Sequence, residues 1–315
     1  MNSGWPQQRV WITEYVGLSS RLEALALAFL VSEYFGHEVC LDWRDLDAFN
    51  VVGACRARRG LLGRIDTLKI HAETRDNFYR VPGHTNVNVR THYGPEHLLR
   101  NIYLPTAQRV KLRPDLIEVI RNTFHLYRNR PLIGVHVRRG DFTAMDTEEF
   151  DVNGVLWPAV PDWWYQHVMR CIQRAIPDVV FFVSCSGRLE DYSFLREFEV
   201  FDLPAPSPYG YKEAGHTSAR HPAADLFALG CCDTVVGSPC STFTHYAANM
   251  LGRPTTLLVP PAYKMRRCQP EFGTLQLHGH GAGDWLKACR TGEGWKAVAD
   301  AAALAIARGA YVDWM

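Results

Sequence analysis

The sequence predicts an α/β protein made of two Rossmann-like domains that face each other across a cleft. Three observations carry this. The chain opens strand, glycine turn, helix, strand, which is a βαβ unit. Strand-length and helix-length segments then alternate regularly after residue 131. The break Asn129-Arg130-Pro131 separates the two runs, so the domains are expected at 1–129 and 130–315, with a terminal helix that can pack back on the first.

Each element has a local cause. Arg9 to Thr13 alternates as a strand does. Leu22, Leu25, Ala26, Phe29 and Leu30 recur at helical spacing, and Gly36 ends that helix. His37 to Trp43 is the next strand. Residues 50 to 103 carry weaker signals: a basic cluster of Arg56, Arg58, Arg59 and Arg64, and scattered histidines. Pro114 to Tyr127 is a helix with Pro in its first turn. Leu132 to Val137 is a buried strand. Asp162 to Ala175 is a helix, Val179 to Ser184 a strand, Leu189 to Phe198 a helix and Val200 to Leu203 a short strand. After a Pro-rich loop come a helix from His221 to Cys231, a strand from Asp233 to Gly237, a helix from Ser241 to Leu251 and a strand from Thr255 to Val259. Ala297 to Arg308 reads as a final helix.

Composition excludes several classes. The formal net charge of +1 over 315 residues argues against a nucleic-acid binder. No apolar stretch is long enough to span a bilayer, and the first residues lack a signal-peptide pattern. A cytoplasmic location is expected, with peripheral contact at the inner membrane face left open. The nine cysteines form no CxxC pair, and free thiols are expected over disulfides. Phosphate loops of the GxxxxGKS/T and GxGxxG types are absent, as is GxSxG. Asp45-Leu46-Asp47 has the DxD form of metal-dependent sugar-nucleotide transferases, a weak three-letter pattern.

Four clusters fall at strand ends or helix starts. The strand Leu132 to Val137 runs into Arg138, Arg139, Gly140 and Asp141. In an open α/β sheet ligands sit outside the carboxyl ends of strands, and arginine forks suit phosphate oxygens. His136 and Arg138 are two apart, so a strand points both to one face. Asp225 lies in an apolar helix turn, where a carboxylate needs a partner; the paired N–H donors of guanine would serve. Ser241, Thr242 and Phe243 open a helix after a strand, a capping position and an anion site at once. The acids Asp141, Asp146, Glu148 and Glu149 offer a general base. Gly17 precedes the first helix, at a turn able to receive a phosphate. Trp157, Trp163, Trp164 and Tyr165 are candidates to stack on an acceptor sugar.

With these residues in place, PLIGVHVRRGD resembles the motif shared by GDP-fucose-dependent fucosyltransferases of the α1,2, α1,6 and protein O-fucosyl groups. The likeness is strongest to the α1,6 group, which includes the rhizobial nodulation enzyme. HPAADLFALGCCDTVVGSPCSTFTHYAANML resembles that family's second and third motifs, and VGLSSRLEALALAFLVSEYFGHEVCLDWR its opening turn, helix and strand. Residues 50–105 and those after 260 carry no resemblance.

The resemblance implies a GT-B-like fold with the donor bound mainly by the C-terminal half and the acceptor on the N-terminal side. It implies that His136 and Asp225 hold the guanine, and that Arg138, supported by Arg139, binds the β-phosphate. Ser241, Thr242 and Phe243 would bind the diphosphate with help from Gly17. Asp146 falls ten residues after His136, where the core α1,6 enzymes carry a catalytic Glu, with Glu148 and Glu149 behind it as base. The opening turn has one glycine where relatives often have more, and the base is Asp rather than Glu. The implied activity is inverting, metal-independent transfer of L-fucose from GDP-fucose to a hydroxyl of a glycan or glycoconjugate, with no cofactor. Another nucleotide-sugar donor on the same scaffold, a non-catalytic nucleotide-sugar-binding protein, and a metal-dependent enzyme centred on Asp45 and Asp47 stay open as alternatives.

Overall fold

The computed structural model describes residues 7–61, 67–144, 148–204, 212–213, 216–217, 222–251 and 255–304; the side chain of Asp45 is outside this description. Asp146, the residues of the Pro-rich loop from 205 on, and the last part of the expected C-terminal helix lie outside it too. The chain divides into two compact units. One is Met1–Arg113 with Gly279–Gly283; the other is Pro114–His278 with Asp284–Met315. The helix starting at Pro114, expected on the first domain, therefore belongs to the second unit.

The first unit is built on a five-stranded parallel sheet. Its strands are β1 (Arg9–Thr13), β2 (Glu38–Asp42), β3 (Ala54–Arg56), β4 (Thr67–Ile70) and β5 (Asn86–Val89), in the order β3-β2-β1-β5-β4. Helix α1 (Leu18–Phe35) follows β1 and is buried continuously from Leu22 to Val31. An apolar stretch buried all round is what a central crossover helix requires. It stops at Gly36, whose φ of 74° is the left-handed conformation that closes helices.

The second unit holds a seven-stranded sheet. Its parallel strands are β6 (Leu132–Val137), β7 (Val180–Cys185), β8 (Val200–Phe201), β9 (Thr234–Val236) and β10 (Thr256–Val259). Two antiparallel strands, β11 (Gly273–Leu275) and β12 (Trp295–Ala297), extend it, giving the order β8-β7-β6-β9-β10-β11-β12. Helices α2 (Pro114–His125), α3 (Asp162–Ala175), α4 (Pro222–Gly230) and α5 (Thr242–His245, continued as a π-turn by Tyr246–Met250) flank it.

All six residues of β6 are buried, and alternation sends them to two different layers. Ile133, Val135 and Val137 join the core formed with Val168, Met169 and Ile172 of α3. Leu132, Gly134 and His136 face the other way. A Cβ on Gly134 would lie 3.0 Å from Leu229 and 3.2 Å from Cys232, so glycine lets α4 approach the strand.

Among the described residues, two expected helices do not form. Leu189 to Phe198 forms two short 3-10 turns instead. Tyr192 and Phe194 are both buried, and residues two apart cannot share one face of an α-helix. Ala297 ends strand β12, and Ala301–Ala303 is a single 3-10 turn capped by Asp300.

Candidate functional site

In the second sheet the strand order reverses between β6 and β9. That is the switch point at which an open α/β sheet receives a ligand, outside the carboxyl ends of the strands. The two chain segments leaving that point are Arg138-Arg139-Gly140 and Gly237-Ser238-Pro239. The sequence-predicted groups His136, Arg138, Arg139, Asp225, Ser241, Thr242 and Phe243 all lie on this unit, at or beside those strand ends.

His136 is 4% exposed, and its Nδ1 is 2.5 Å from Thr244 Oγ1. Its ring lies 4.9 Å from that of Phe243, centroid to centroid. Burial, and secondarily the Arg138 charge, pulls its pKa down to about 3, so the ring is neutral at ordinary pH. Ser184 is the register partner of His136 on β7, so the two side chains share a face. Ser184 Oγ donates to Asp225 Oδ2 at 3.3 Å. His136 and Ser184 thus share one face of the sheet, and Ser184 reaches the Asp225 carboxylate, which is 5% exposed.

Beyond the strand the chemistry turns cationic. Arg138 makes a two-pronged pair with Asp141, Nε to Oδ1 and Nη2 to Oδ2, each 3.1 Å. Arg139 bonds to Asp162 at the start of α3, and its guanidinium lies 5.9 Å from the Tyr165 ring centroid. Gly140 takes φ 82°, which turns the chain back so that Asp141 can reach Arg138. Ser241 is the N-cap of α5 and is buried, with no side-chain capping bond, and Thr242 and Phe243 form the first turn.

Three residues have supporting roles that the sequence did not show, Thr244, Gly237 and Tyr165, the last of them expected on the acceptor instead. Thr244 holds the His136 ring. Gly237 makes room for Thr244: a Cβ there would be 2.4 Å from Thr244 Cγ2. Tyr165 donates its hydroxyl to the His136 carbonyl at 2.9 Å and lies 3.3 Å from Ser238 Oγ. Burial pushes its phenol up to about 12, so it remains a donor. The run GSPCSTFTH carries the first two, but only the tertiary contact reveals their roles. Tyr165 and Trp164 are fully buried, so neither stacks on an acceptor sugar.

The remaining expected residues are on other segments of the chain. Gly17 is on the first unit as the N-cap of α1, and its carbonyl accepts from Arg21 N at 3.2 Å. Glu148 and Glu149 are held in ion pairs. Arg267 bonds to Glu148 at 3.1 Å, while Lys264 and Arg266 pair with Glu149, the latter at 3.4 Å. Asp47 sits in the 3-10 turn Arg44–Ala48, where its carbonyl accepts from Arg113 at 3.2 Å.

No protein-family profile and no curated protein matches the chain. Solved structures do. Arabidopsis thaliana FUT1, a mutant in complex with GDP, is 13% identical over 83% of this chain and 72% of that one, at a TM-score of 0.51. NodZ alpha-1,6-fucosyltransferase soaked with GDP-fucose is 20% identical over 82% and 98%, at 0.49. POFUT1 in complex with GDP is 11% identical over 80% and 97%, also at 0.49. The plant structure shows the fold: the chain shares the two-unit, GT-B-like α/β architecture expected from its sequence.

Proposed function

We propose that this protein is an inverting, metal-independent glycosyltransferase that moves L-fucose from GDP-fucose to a hydroxyl of a glycan or glycoconjugate, forming an α-linkage. The observation that carries the reading is the sequence of groups along one strand end. Neutral His136 shares a sheet face with Ser184, which bonds to the buried Asp225 carboxylate, and Arg138 and Arg139 follow His136 along the chain. A guanine edge presents N–H donors to a carboxylate and an acceptor to a neighbouring donor, and its diphosphate would then meet the two guanidinium groups. The GDP held by the plant structure of the same fold supports a guanine nucleotide.

The chemistry follows from charge. Departure of GDP places negative charge on the β-phosphate, and fixed cations lower that barrier without a metal. Arg138 takes this role and Arg139 supports it, while Ser241 and the first amides of α5 complete the phosphate cradle. The ion pairs of Glu148 and Glu149 leave Asp146 as the acid assigned to the acceptor proton. Direct displacement converts the β-linked donor into an α-linked product. The first unit is assigned the acceptor.

Calorimetric titration with GDP, UDP and ADP in EDTA, on wild type and Arg138→Ala, tests this. Binding of GDP alone, lost in the variant, is the expected outcome. A preference for UDP or ADP would overturn the guanine assignment, and nucleotide binding only with added metal would overturn metal independence. Release of GDP from GDP-fucose by wild type, lost in Asp146→Asn, separates an enzyme from a binding protein.

A further inference from the structure

The first unit carries a sulfur pair that the proposed transfer does not use. Cys40 on β2 and Cys55 on β3 are register partners in adjacent parallel strands. Neighbouring strands run about 4.8 Å apart, inside the Cα separation that a disulfide spans. The two Sγ atoms are 3.0 Å apart, in hydrogen-bond contact and not joined by a disulfide. Strand β3 is the edge of its sheet, and Cys55 is half-buried whereas Cys40 is buried. Glu38 Oε2 lies 3.8 Å from Cys40 Sγ and pairs with Arg9 at 3.3 Å.

Two chemistries suit such a cluster, a thiolate-bound metal and a sulfur–sulfur bond. Geometry separates them. Tetrahedral zinc with Zn–S bonds of ~2.3 Å holds its sulfurs roughly 3.8 Å apart. The observed separation would close the S–Zn–S angle to about 80°, and Glu38 is already engaged by Arg9. A disulfide requires only that the sulfurs close by about 1 Å.

We infer that Cys40 and Cys55 form a dithiol–disulfide site, oxidised by a low-molecular-weight disulfide such as oxidised glutathione. Cys55, the accessible thiol, loses its proton and attacks one sulfur of the oxidant, releasing one glutathione. Cys40 then loses its proton and attacks the Cys55 sulfur of the mixed disulfide, expelling the second glutathione. Two protein S–H bonds and the oxidant's S–S bond are broken; one protein S–S bond and two thiols are formed. Burial holds the Cys40 proton tightly. The bond would tie the sheet's edge strand to β2 and close the loop that links them. Arg59 follows that edge strand, and its backbone N–H bonds to Asp42 at the end of β2, 2.9 Å away.

The test is oxidation of the full chain with oxidised glutathione, an acid quench, alkylation under denaturing conditions and peptide mapping by mass spectrometry. The expected product is one peptide pair joined through Cys40 and Cys55 and lighter by two hydrogens, while exposed Cys268 takes only a glutathione adduct. Cys40→Ser should trap a lasting adduct on Cys55. The unfolding midpoint of oxidised wild type should shift upward over reduced wild type, with no shift in Cys40→Ser or Cys55→Ser. A lasting adduct on Cys55 of wild type with Cys40 alkylated, or full alkylation of both, overturns the inference. So does protection of both thiols by Zn²⁺ alone with no bridge after oxidation, which would make the cluster a metal site. The wild-type map stands even if a variant fails to fold.

Discussion

The two sheets end in rims that hold their arginines differently. On the first unit, Arg21 is 1% exposed, lies 3.8 Å from Glu14 and stacks over Trp43 at 5.7 Å. Arg44 grips both oxygens of the same Glu14, at 2.9 and 3.0 Å from its Nε. Burial raises the neighbouring Tyr15 phenol. On the second unit, Arg138 and Arg139 pair with Asp141 and Asp162, which are 56% and 50% exposed. Exposed pairs contribute only about 0–1 kcal/mol, so an incoming phosphate can take over these guanidinium groups at small cost. A buried arginine is committed to its own neighbours. Arg21 is therefore read as structure, and Arg138 and Arg139, with their exposed partners, as groups an anion could recruit.

Arginine removal is the sharpest way to break this contrast. Arg138→Ala should lower GDP-fucose turnover by about 10²–10³-fold with an unchanged thermal midpoint, measured by coupled GDP release and calorimetry. Arg21→Ala should do the reverse. It empties the space that a 1% exposed side chain fills against Trp43 and should cost about 3 kcal/mol of stability, read by urea unfolding, while the folded protein still binds GDP. If Arg21→Ala instead lost GDP binding with full stability, the structural reading of the first rim would fall.

Gly237→Ala comes next. The added methyl meets Thr244 at 2.4 Å, and Thr244 holds His136. Overpacking of this kind costs roughly 1–3 kcal/mol, and GDP affinity should fall with it. An alanine variant with wild-type affinity would detach Gly237 from the site.

His136 predicts the acid limb of the stability curve. Its folded pKa of about 3 lies below the unfolded value of 6.5. The folded state binds the proton less well, so this contribution is present above pH 6.5 and is lost as pH falls towards 3. Its slope is roughly 1.4 kcal/mol per pH unit within that window. Urea unfolding from pH 7 to 4 should show the decline in wild type and a flatter profile in His136→Asn.

How much of this could be read in the chain depends on whether the signal is local. Leu132–Val137 and Asp162–Ala175 were legible to the residue, because an unbroken apolar run and an amphipathic repeat are local facts. The antiparallel strands Gly273–Leu275 and Trp295–Ala297 were not, since each is three residues long and is defined only by its neighbour. The site shows the same divide. His136, Arg138 and Asp225 announced themselves as charge or polarity in apolar surroundings. Thr244 and Gly237 did not, because their roles exist only where α5 meets the strands. Glu148 and Glu149 read as candidate bases in the chain, and the cations that pair with them stand on a segment more than a hundred residues away.

Tyr165 gives the smallest and most discriminating test. In the sequence it belonged to an aromatic run suited to stacking on a sugar. In the structure its hydroxyl props the His136 carbonyl from the opposite face of the sheet. Tyr165→Phe keeps the ring in the core and removes one buried hydrogen bond, a loss of about 1 kcal/mol. Because the bond reaches the His136 backbone, the change should appear chiefly as weaker GDP binding of a few fold, with KM for the acceptor unmoved. An acceptor KM that rises while GDP affinity holds would return Tyr165 to the acceptor side and separate it from the receptor rim.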